Sequence, residues 1–152
     1  MGDEEELRKK KVVLELGGNA GVIVSNLTDL KETSKKCVMG AFGYSGQVCI
    51  HAQRFFVHET IFESFLKEIS LQTNSLRSGD PMDEASDFGP LIDEENAIRV
   101  ESWINEAISG GAKLICGGKR NGTFVEPTIL TNTSHTMKVN CEEVFGPVIT
   151  IE

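Results

Sequence analysis

The fold is decided at one junction in the sequence, Phe42-Gly43-Tyr44-Ser45-Gly46-Gln47-Val48-Cys49-Ile50. Two glycines and a serine interrupt a helix-like pattern just before the cysteine, and an apolar run with strand character follows at residues 54–58. A cysteine between a helix and a strand has flexible backbone around it, so another molecule can approach closely, and backbone N–H groups there can stabilise a thiolate or an oxyanion. The same pattern fits a small buried cysteine, which is the more common role of this residue.

Strands and amphipathic helices alternate on both sides of this junction. Thr28, Thr60 and Asp93 are each placed to cap the N-terminus of a helix. The strand-like runs are residues 12–16, 21–25, 54–58, 113–116, 124–129 and 147–151. This alternation predicts an α/β fold in layers, with a largely parallel sheet flanked by helices.

Size and charge limit the classes of function. The 152 residues fit about one domain, and 39% hydrophobic residues can form a sizeable core. The formal net charge of -8 argues against binding nucleic acid, which requires clustered Lys and Arg. The one basic run, residues 8–11, adjoins an acidic run at residues 3–6, and a solvated N-terminus is the expected result.

The cysteines and histidines do not form a metal-binding pattern. No pair of cysteines has the CxxC spacing of zinc sites, and the three histidines lie in unrelated contexts, so we expect no metal. We see no signal peptide and no apolar run long enough to span a membrane. A reducing, cytoplasmic compartment with free thiols is therefore expected.

One carboxylate stands out in the first apolar run. Glu15 lies within residues 12–16, directly before Gly17 and Gly18. A solvated position at the end of a strand would explain it without any function. His51 raises a similar alternative, because it lies two residues after Cys49 and the two side chains would point the same way in a strand as a Cys–His pair.

Three separated motifs resemble the aldehyde dehydrogenase family. Glu15-Leu16-Gly17-Gly18-Asn19 is similar to the glutamate motif of that family. Gly43-Tyr44-Ser45-Gly46-Gln47-Val48-Cys49, with Arg54 five residues later, is similar to its cysteine motif. Glu142-Glu143-Val144-Phe145-Gly146-Pro147-Val148 is similar to its cofactor-contact motif. The order and the spacing of the motifs also suit the family, and the resemblance covers residues 12–152.

The resemblance implies a role for each motif. Cys49 would be the nucleophile that forms a thiohemiacetal and then a thioester with an aldehyde substrate, and its backbone N–H would stabilise the oxyanion. Glu15 would be the general base for the water that hydrolyses the thioester, and it is also a candidate base for the thiol. With NAD or NADP as cofactor, Glu143 would hold ribose hydroxyls, Phe145 would pack beside the nicotinamide end, and Leu16 would contact the nicotinamide through its backbone. The family's oxyanion asparagine has no counterpart in residues 1–11.

The resemblance also implies what the domains and partners are. The family has a cofactor-binding domain before the glutamate motif, and its Gly-rich turn is absent from the first residues here. We therefore expect residues 1–11 to be a lead-in or an added segment, and residues 12–152 to be a partial catalytic domain. Its partners would be the missing cofactor-binding domain and further copies of the parent chain in a homo-oligomer. The isolated chain would lack dehydrogenase activity. The alternative is a non-catalytic relative that serves as a structural or interaction domain.

Overall fold

A mixed sheet of five strands forms the centre of the structure. The computed structural model describes residues 11–26 and 29–152. The strands of this sheet are β1 (Ala20–Val24), β2 (Ala52–Val57), β3 (Lys113–Cys116), β6 (Thr128–Thr131) and β7 (Val148–Ile151), and a separate short hairpin consists of β4 (Arg120–Asn121) and β5 (Phe124–Val125). The spatial order is β1-β2-β7-β6-β3, and every neighbouring pair is parallel except β3 with β6. The predicted α/β fold is confirmed.

Among the described residues, four α-helices and two short 3-10 turns connect the strands. The helices are α1 (Leu30–Phe42), α2 (Phe62–Asn74), α3 (Glu94–Ser109) and α4 (Lys138–Cys141), and the 3-10 turns are Gly43–Gly46 and Glu59–Ile61. Along residues 11–26 and 29–152, no helix is both long enough and apolar enough to cross a membrane.

The structure confirms one of the three predicted helix caps. Asp93 caps α3, and its carboxylate accepts a hydrogen bond from the Asn96 N–H. Asp29 caps α1 in the same way, so the prediction of Thr28 was one residue early; Thr28 itself lies outside the described residues. Thr60 was wrong as a cap, because α2 begins after Ile61 without a side-chain cap and the N–H of Thr60 is bound by the ring of His58.

Each face of the sheet packs against its own pair of helices. One core includes Phe55, Phe65 and Ile149, between the sheet and helices α1 and α2. The other core includes Val100 and Leu130, between the sheet and helices α3 and α4. All four residues of β6 and all four of β7 are buried, as expected for central strands covered on both faces.

Two predicted strands differ from the structure. Residues 12–16 are exposed and lie outside the sheet, and the first strand begins only at Ala20. A strand exists only where its backbone groups pair with a neighbour, and within the described ranges residues 12–16 have no such neighbour. The run 124–129 is divided into β5 and β6 at Pro127, which has no N–H to contribute to a ladder.

The register of β1 and β2 supplies a stability test with a matched control. Phe55 of β2 is completely buried, whereas Ile23 of β1 is 85% exposed, one position along the same ladder. We expect Phe55→Ala to lower the free energy of unfolding by about 3–5 kcal/mol, because it leaves a cavity in the core. Ile23→Ala is expected to stay within about 0.5 kcal/mol of the parent value. Urea unfolding followed by the fluorescence of Trp103, the only tryptophan, measures both. Equal losses in the two variants would contradict the assigned faces of the sheet.

Candidate active site

The turn before Cys49 has an unusual backbone. Tyr44 and Ser45 both adopt left-handed conformations, with φ of 52° and 58°, and Gly46 follows with φ of 70°. Each non-glycine residue in this region costs on the order of 1–3 kcal/mol unless its surroundings hold it. The Ser45 hydroxyl is buried and donates a 2.7 Å hydrogen bond to the Gly89 carbonyl. The turn therefore ends α1 abruptly and presents Cys49 in an exposed loop.

The side chain of Gln47 fixes the same turn to a second loop. Its Nε2 donates to the Pro90 carbonyl at 3.3 Å, and its Oε1 accepts from the Ile92 N–H at 2.9 Å. Both ends of one amide thus bind the backbone of the loop between Phe88 and Asp93. Together with the Ser45 bond, these contacts anchor the cysteine loop to a segment more than forty residues away.

Gly17 and Gly18 lie where the three motifs meet. The Gly18 N–H donates a 2.9 Å hydrogen bond to Glu143 Oε1, across 125 residues of sequence. A Cβ on Gly18 would overlap the carbonyl oxygen of Cys49, and a Cβ on Gly17 would come within 2.6 Å of Glu143 Oε2. Gly17 also has φ of 142°, a conformation that side chains disfavour. Glycine is therefore required at both positions for the motifs to converge.

A second close approach joins the cysteine loop to the Glu143 segment. A Cβ on Gly46 would overlap the carbonyl oxygen of Gly146. Gly146 in turn lies against Val100 of α3, whose Cγ2 would be 2.8 Å from a Cβ at that position. The segment that carries Glu143 and Phe145 therefore contacts both the cysteine loop and helix α3 at Gly146.

Two polar side chains that the sequence analysis missed hold this segment. Gln53 is 1% exposed; its Nε2 donates to the carbonyls of Val139 and Glu142, and its Oε1 accepts from the Val144 N–H. Arg99 of α3 donates to the Val144 carbonyl at 2.7 Å. Gln53 could have been noticed in the sequence, because it is an uncharged polar residue next to the apolar residues of β2. Arg99 lay in an amphipathic helix and had no distinguishing signal.

The predicted site residues differ in how they are placed. The backbone of Cys49 and the carboxylate of Glu143 both lie against Gly17 and Gly18. Phe145 has a left-handed backbone with φ of 47° and is 40% exposed. Glu15 is exposed, and within the described chain its carboxylate forms no hydrogen bond or ion pair; Leu16 is 84% exposed. The structure thus brings Gly17 and Gly18 of the first motif into contact with the second and third motifs. The side chains of Glu15 and Leu16 are exposed to solvent.

Cys49 is the thiol of this loop, and the other three cysteines have different surroundings. Burial raises the pKa of Cys37 and raises that of Cys116 to about 11, which disfavours the thiolate in both. Cys141 is exposed, but it lies at the end of α4 with its thiol directed to the Thr136 carbonyl. In the part of the chain that the structure describes, no cluster of His, Cys, Asp and Glu could hold a metal ion.

His51 does not share the environment of Cys49. Cys49 is exposed in a turn, whereas His51 is 4% exposed and lies just before β2. Burial lowers the pKa of His51 to about 4. The nearby backbone of Ala41 acts in the opposite direction and raises this pKa. Among the described residues, neither ring nitrogen has a partner with hydrogen-bond geometry. The imidazole is therefore neutral near pH 7 and buried, whereas Cys49 is exposed.

The convergence at Gly18 can be tested with two alanine substitutions. We expect Gly18→Ala to lower the free energy of unfolding by about 1–3 kcal/mol, because the new methyl group must displace the Cys49 carbonyl. Gly40→Ala is the control, since it lies in helix α1 with only an ordinary 3.5 Å contact to Ala52 and should gain about 0.5–1 kcal/mol. Urea unfolding measures both variants. A Gly18→Ala protein as stable as the parent would contradict the close approach.

Burial of His51 predicts a pH dependence of stability. Between pH 6.5 and about 4 the unfolded chain binds a proton at this residue that the folded chain does not. The free energy of unfolding should therefore fall as the pH drops through this window, by at most about 1.4 kcal/mol per pH unit. The difference between the parent and His51→Gln, measured by urea unfolding at several pH values, isolates this contribution. A difference that stays constant from pH 7 to pH 4 would contradict the buried neutral imidazole.

Comparisons with known proteins find matches over most of this chain. The sequence profile described as "Aldehyde dehydrogenase family" matches residues 3–152. The 3-sulfolactaldehyde dehydrogenase of Priestia aryabhattai is 46% identical over 142 residues, which are 93% of this chain and 30% of that protein.

Solved structures show the same relationship. Aldehyde dehydrogenase 21 from Physcomitrella patens, in complex with the reaction product succinate, superimposes with a TM-score of 0.90 at 40% identity, over 94% of this chain and 30% of that one. Betaine aldehyde dehydrogenase from Staphylococcus aureus, in complex with NAD+, gives a TM-score of 0.87 at 32% identity, over 91% of this chain and 29% of that one. The chain thus spans about 30% of the length of the relatives it matches. With a profile match over nearly its whole length and a matching fold, the chain belongs to the aldehyde dehydrogenase family.

Proposed function

We propose that the whole protein to which this chain contributes oxidises an aldehyde to a carboxylic acid with NAD+ or NADP+. The observation that carries the proposal is the contact of Gly17 and Gly18 with both the Cys49 carbonyl and the Glu143 carboxylate. This contact joins the loop of the candidate nucleophile Cys49 to the candidate cofactor ligand Glu143, and the candidate base Glu15 lies two residues before Gly17 in the chain. The family assignment and the aldehyde substrates in the names of its relatives support the same reaction.

In the proposed reaction Cys49 forms a covalent bond with the substrate. Its thiolate adds to the electron-poor aldehyde carbon, and the carbonyl π electrons move to oxygen, where the Cys49 backbone N–H stabilises the alkoxide. When the alkoxide re-forms the carbonyl, the hydrogen on carbon leaves with its electron pair, and a thioester remains on Cys49. The bound nicotinamide ring supplies the acceptor for this hydride.

Glu15 is proposed to complete the turnover as a general base. Its carboxylate takes a proton from a water molecule, the water oxygen attacks the thioester carbon, and the C–S bond breaks. The acid leaves and the thiolate of Cys49 is restored. Glu15 is exposed and has no other partner in the described chain, so its carboxylate is available for this role.

The residues present fit the sugar end of a nicotinamide cofactor. One oxygen of Glu143 accepts from the Gly18 N–H, and the half-buried carboxylate retains acceptor capacity for ribose hydroxyls. Phe145, whose ring is partly exposed beside it, would pack against the nicotinamide side, and the backbone of Leu16 would contact the same ring. None of these groups touches the adenosine end, so they are compatible with NAD or NADP.

The size of the relatives supports a larger parent protein. We propose that residues 12–152 form part of its catalytic domain, with residues 1–11 as a lead-in, and that a separate cofactor-binding domain is its partner. The isolated chain would then lack dehydrogenase activity. We further propose that the parent is a homo-oligomer and works in the cytoplasm, where a nucleophilic thiol stays reduced. A non-catalytic structural role is less favoured, because both Cys49 and Glu15 are present and accessible.

Two substitutions in the full-length protein separate the proposed roles. Cys49→Ala should lower aldehyde oxidation by at least about 10⁴-fold, because no covalent intermediate forms. Glu15→Gln should lower steady-state turnover by about 10²–10⁴-fold while keeping a rapid burst of reduced cofactor, because only hydrolysis of the thioester is slowed. Stopped-flow absorbance at the reduced nicotinamide band measures both phases.

Cys141→Ala is the matched control, since it removes a second exposed thiol outside the cysteine loop and should leave both phases unchanged. Near-normal turnover of Cys49→Ala would remove the proposed mechanism. Loss of the burst in Glu15→Gln would instead show that Glu15 acts before the thioester forms.

A further inference from the structure

Helix α3 makes a direct contact with the segment that carries Glu143. Arg99 donates a 2.7 Å hydrogen bond from Nη2 to the carbonyl of Val144, the residue after Glu143. One residue along the helix, Val100 lies against Gly146. The Val144 N–H is bound by Gln53, so both polar groups of this residue's backbone are held by side chains from different elements.

The guanidinium of Arg99 is itself fixed in place. It lies 4.7 Å from the centre of the Trp103 ring, one helical turn further along α3. Partial burial lowers the pKa of Arg99, and the negative charge of Glu143 opposes that shift, so the two charges are close enough to interact. Arg99 is therefore oriented by an aromatic ring on one side and directed to the Glu143 segment on the other.

The bond to the Val144 carbonyl constrains both neighbouring residues. Phe145 follows directly with φ of 47°, and a left-handed residue of this kind persists only where its surroundings determine it. Glu143 precedes, and its carboxylate must reach back to the Gly18 N–H. If the Val144 carbonyl turned away, the peptide planes on both sides would rotate with it.

We propose that Arg99 is a positioning residue for the cofactor site: through the Val144 carbonyl it fixes the Glu143 carboxylate and the Phe145 ring. This inference rests on the proposed function, which assigns those two side chains to the ribose and the nicotinamide end of NAD or NADP. In this role Arg99 does not contact the cofactor itself. Its effect is on the affinity for the cofactor, and the affinity for the aldehyde does not depend on it.

A second arginine supplies a matched control. Arg120 also binds α3, but it pairs with Glu101 and Glu94 and with the Gly122 carbonyl, away from the Glu143 segment. Replacing either arginine by methionine removes one positive charge next to the same helix and retains most of the side-chain length. Only Arg99→Met removes the donor of the Val144 carbonyl and a positive charge near Glu143, and Arg99→Lys, which keeps the charge, separates these two effects.

The test compares Arg99→Met, Arg99→Lys and Arg120→Met in the full-length protein. Hydrogen exchange of the peptide covering residues 142–146, followed by mass spectrometry, reports the position of the segment without any reaction. Titration with NAD+ and with NADP+ gives the dissociation constants, and steady-state kinetics gives KM for the aldehyde.

We expect Arg99→Met to raise exchange in residues 142–146 and to weaken binding of the preferred dinucleotide, each by about 10-fold, since a hydrogen bond from a charged donor is lost. KM for the aldehyde should stay within about 2-fold. Arg99→Lys, which keeps the charge and one donor, should fall between the parent and Arg99→Met, and Arg120→Met should match the parent in exchange and in affinity.

Unchanged exchange in Arg99→Met would overturn the proposal. Faster exchange with unchanged cofactor affinity would overturn it as well, because Arg99 would then be a structural residue only. Failure of the unmodified protein to bind either dinucleotide would refute the proposed function itself, and that result is visible before any variant is made.

Discussion

The absence of a side chain at Gly17 and Gly18 is the constraint on which the site depends. Through these two residues the carbonyl of Cys49 and the carboxylate of Glu143 approach the same short piece of backbone. A Cβ on Gly18 would overlap the carbonyl oxygen of Cys49, and a Cβ on Gly17 would press against the carboxylate of Glu143, which the Gly18 N–H binds across 125 residues of sequence. The atom that faces Gly18 belongs to the backbone of Cys49, which moves less freely than a side-chain end, so this approach fixes the distance between the glutamate and cysteine motifs.

Side-chain amides, rather than ion pairs, hold the surrounding loops. Gln47 binds the backbone on both sides of Leu91, and Gln53 satisfies three backbone groups near Glu143. A neutral amide has donors and an acceptor together, so it can satisfy irregular backbone without the desolvation cost of a buried charge. This explains how the left-handed turn at Tyr44 and Ser45 persists next to an exposed thiol. The ion pairs of the described chain lie at its surface, and none of them includes a residue of the turn from Tyr44 to Cys49 or of the segment from Glu142 to Gly146.

The sequence predicted those features that depend on local pattern. The alternation of strands and helices, the cap at Asp93 and the junction at Cys49 all follow from spacing and from single-residue preferences. Residues 12–16 were predicted as a strand because most of them are apolar and two are β-branched. A strand also needs a neighbouring strand to pair with, and the local sequence does not show whether one is present. Gln53 and Arg99 were missed for the same reason, since their role exists only through distant carbonyls. The roles of Cys49, Glu15 and Glu143 remain predictions from the motifs.

The contacts of Gly17 and Gly18 limit where Glu15 can lie, although Glu15 itself is exposed. Three peptide units separate it from Gly18, so its Cα lies at most about 11 Å from the Gly18 Cα in any conformation of residues 12–16. Gly18 is in turn against the Cys49 carbonyl. The carboxylate is therefore tethered to the cysteine loop, and rotation about the backbone of Gly17, which has a conformation open mainly to glycine, redirects it. The short tether and the absence of an ion pair in the described chain both fit the role proposed for Glu15, because a carboxylate locked by ion pairs could not turn towards a water molecule near Cys49.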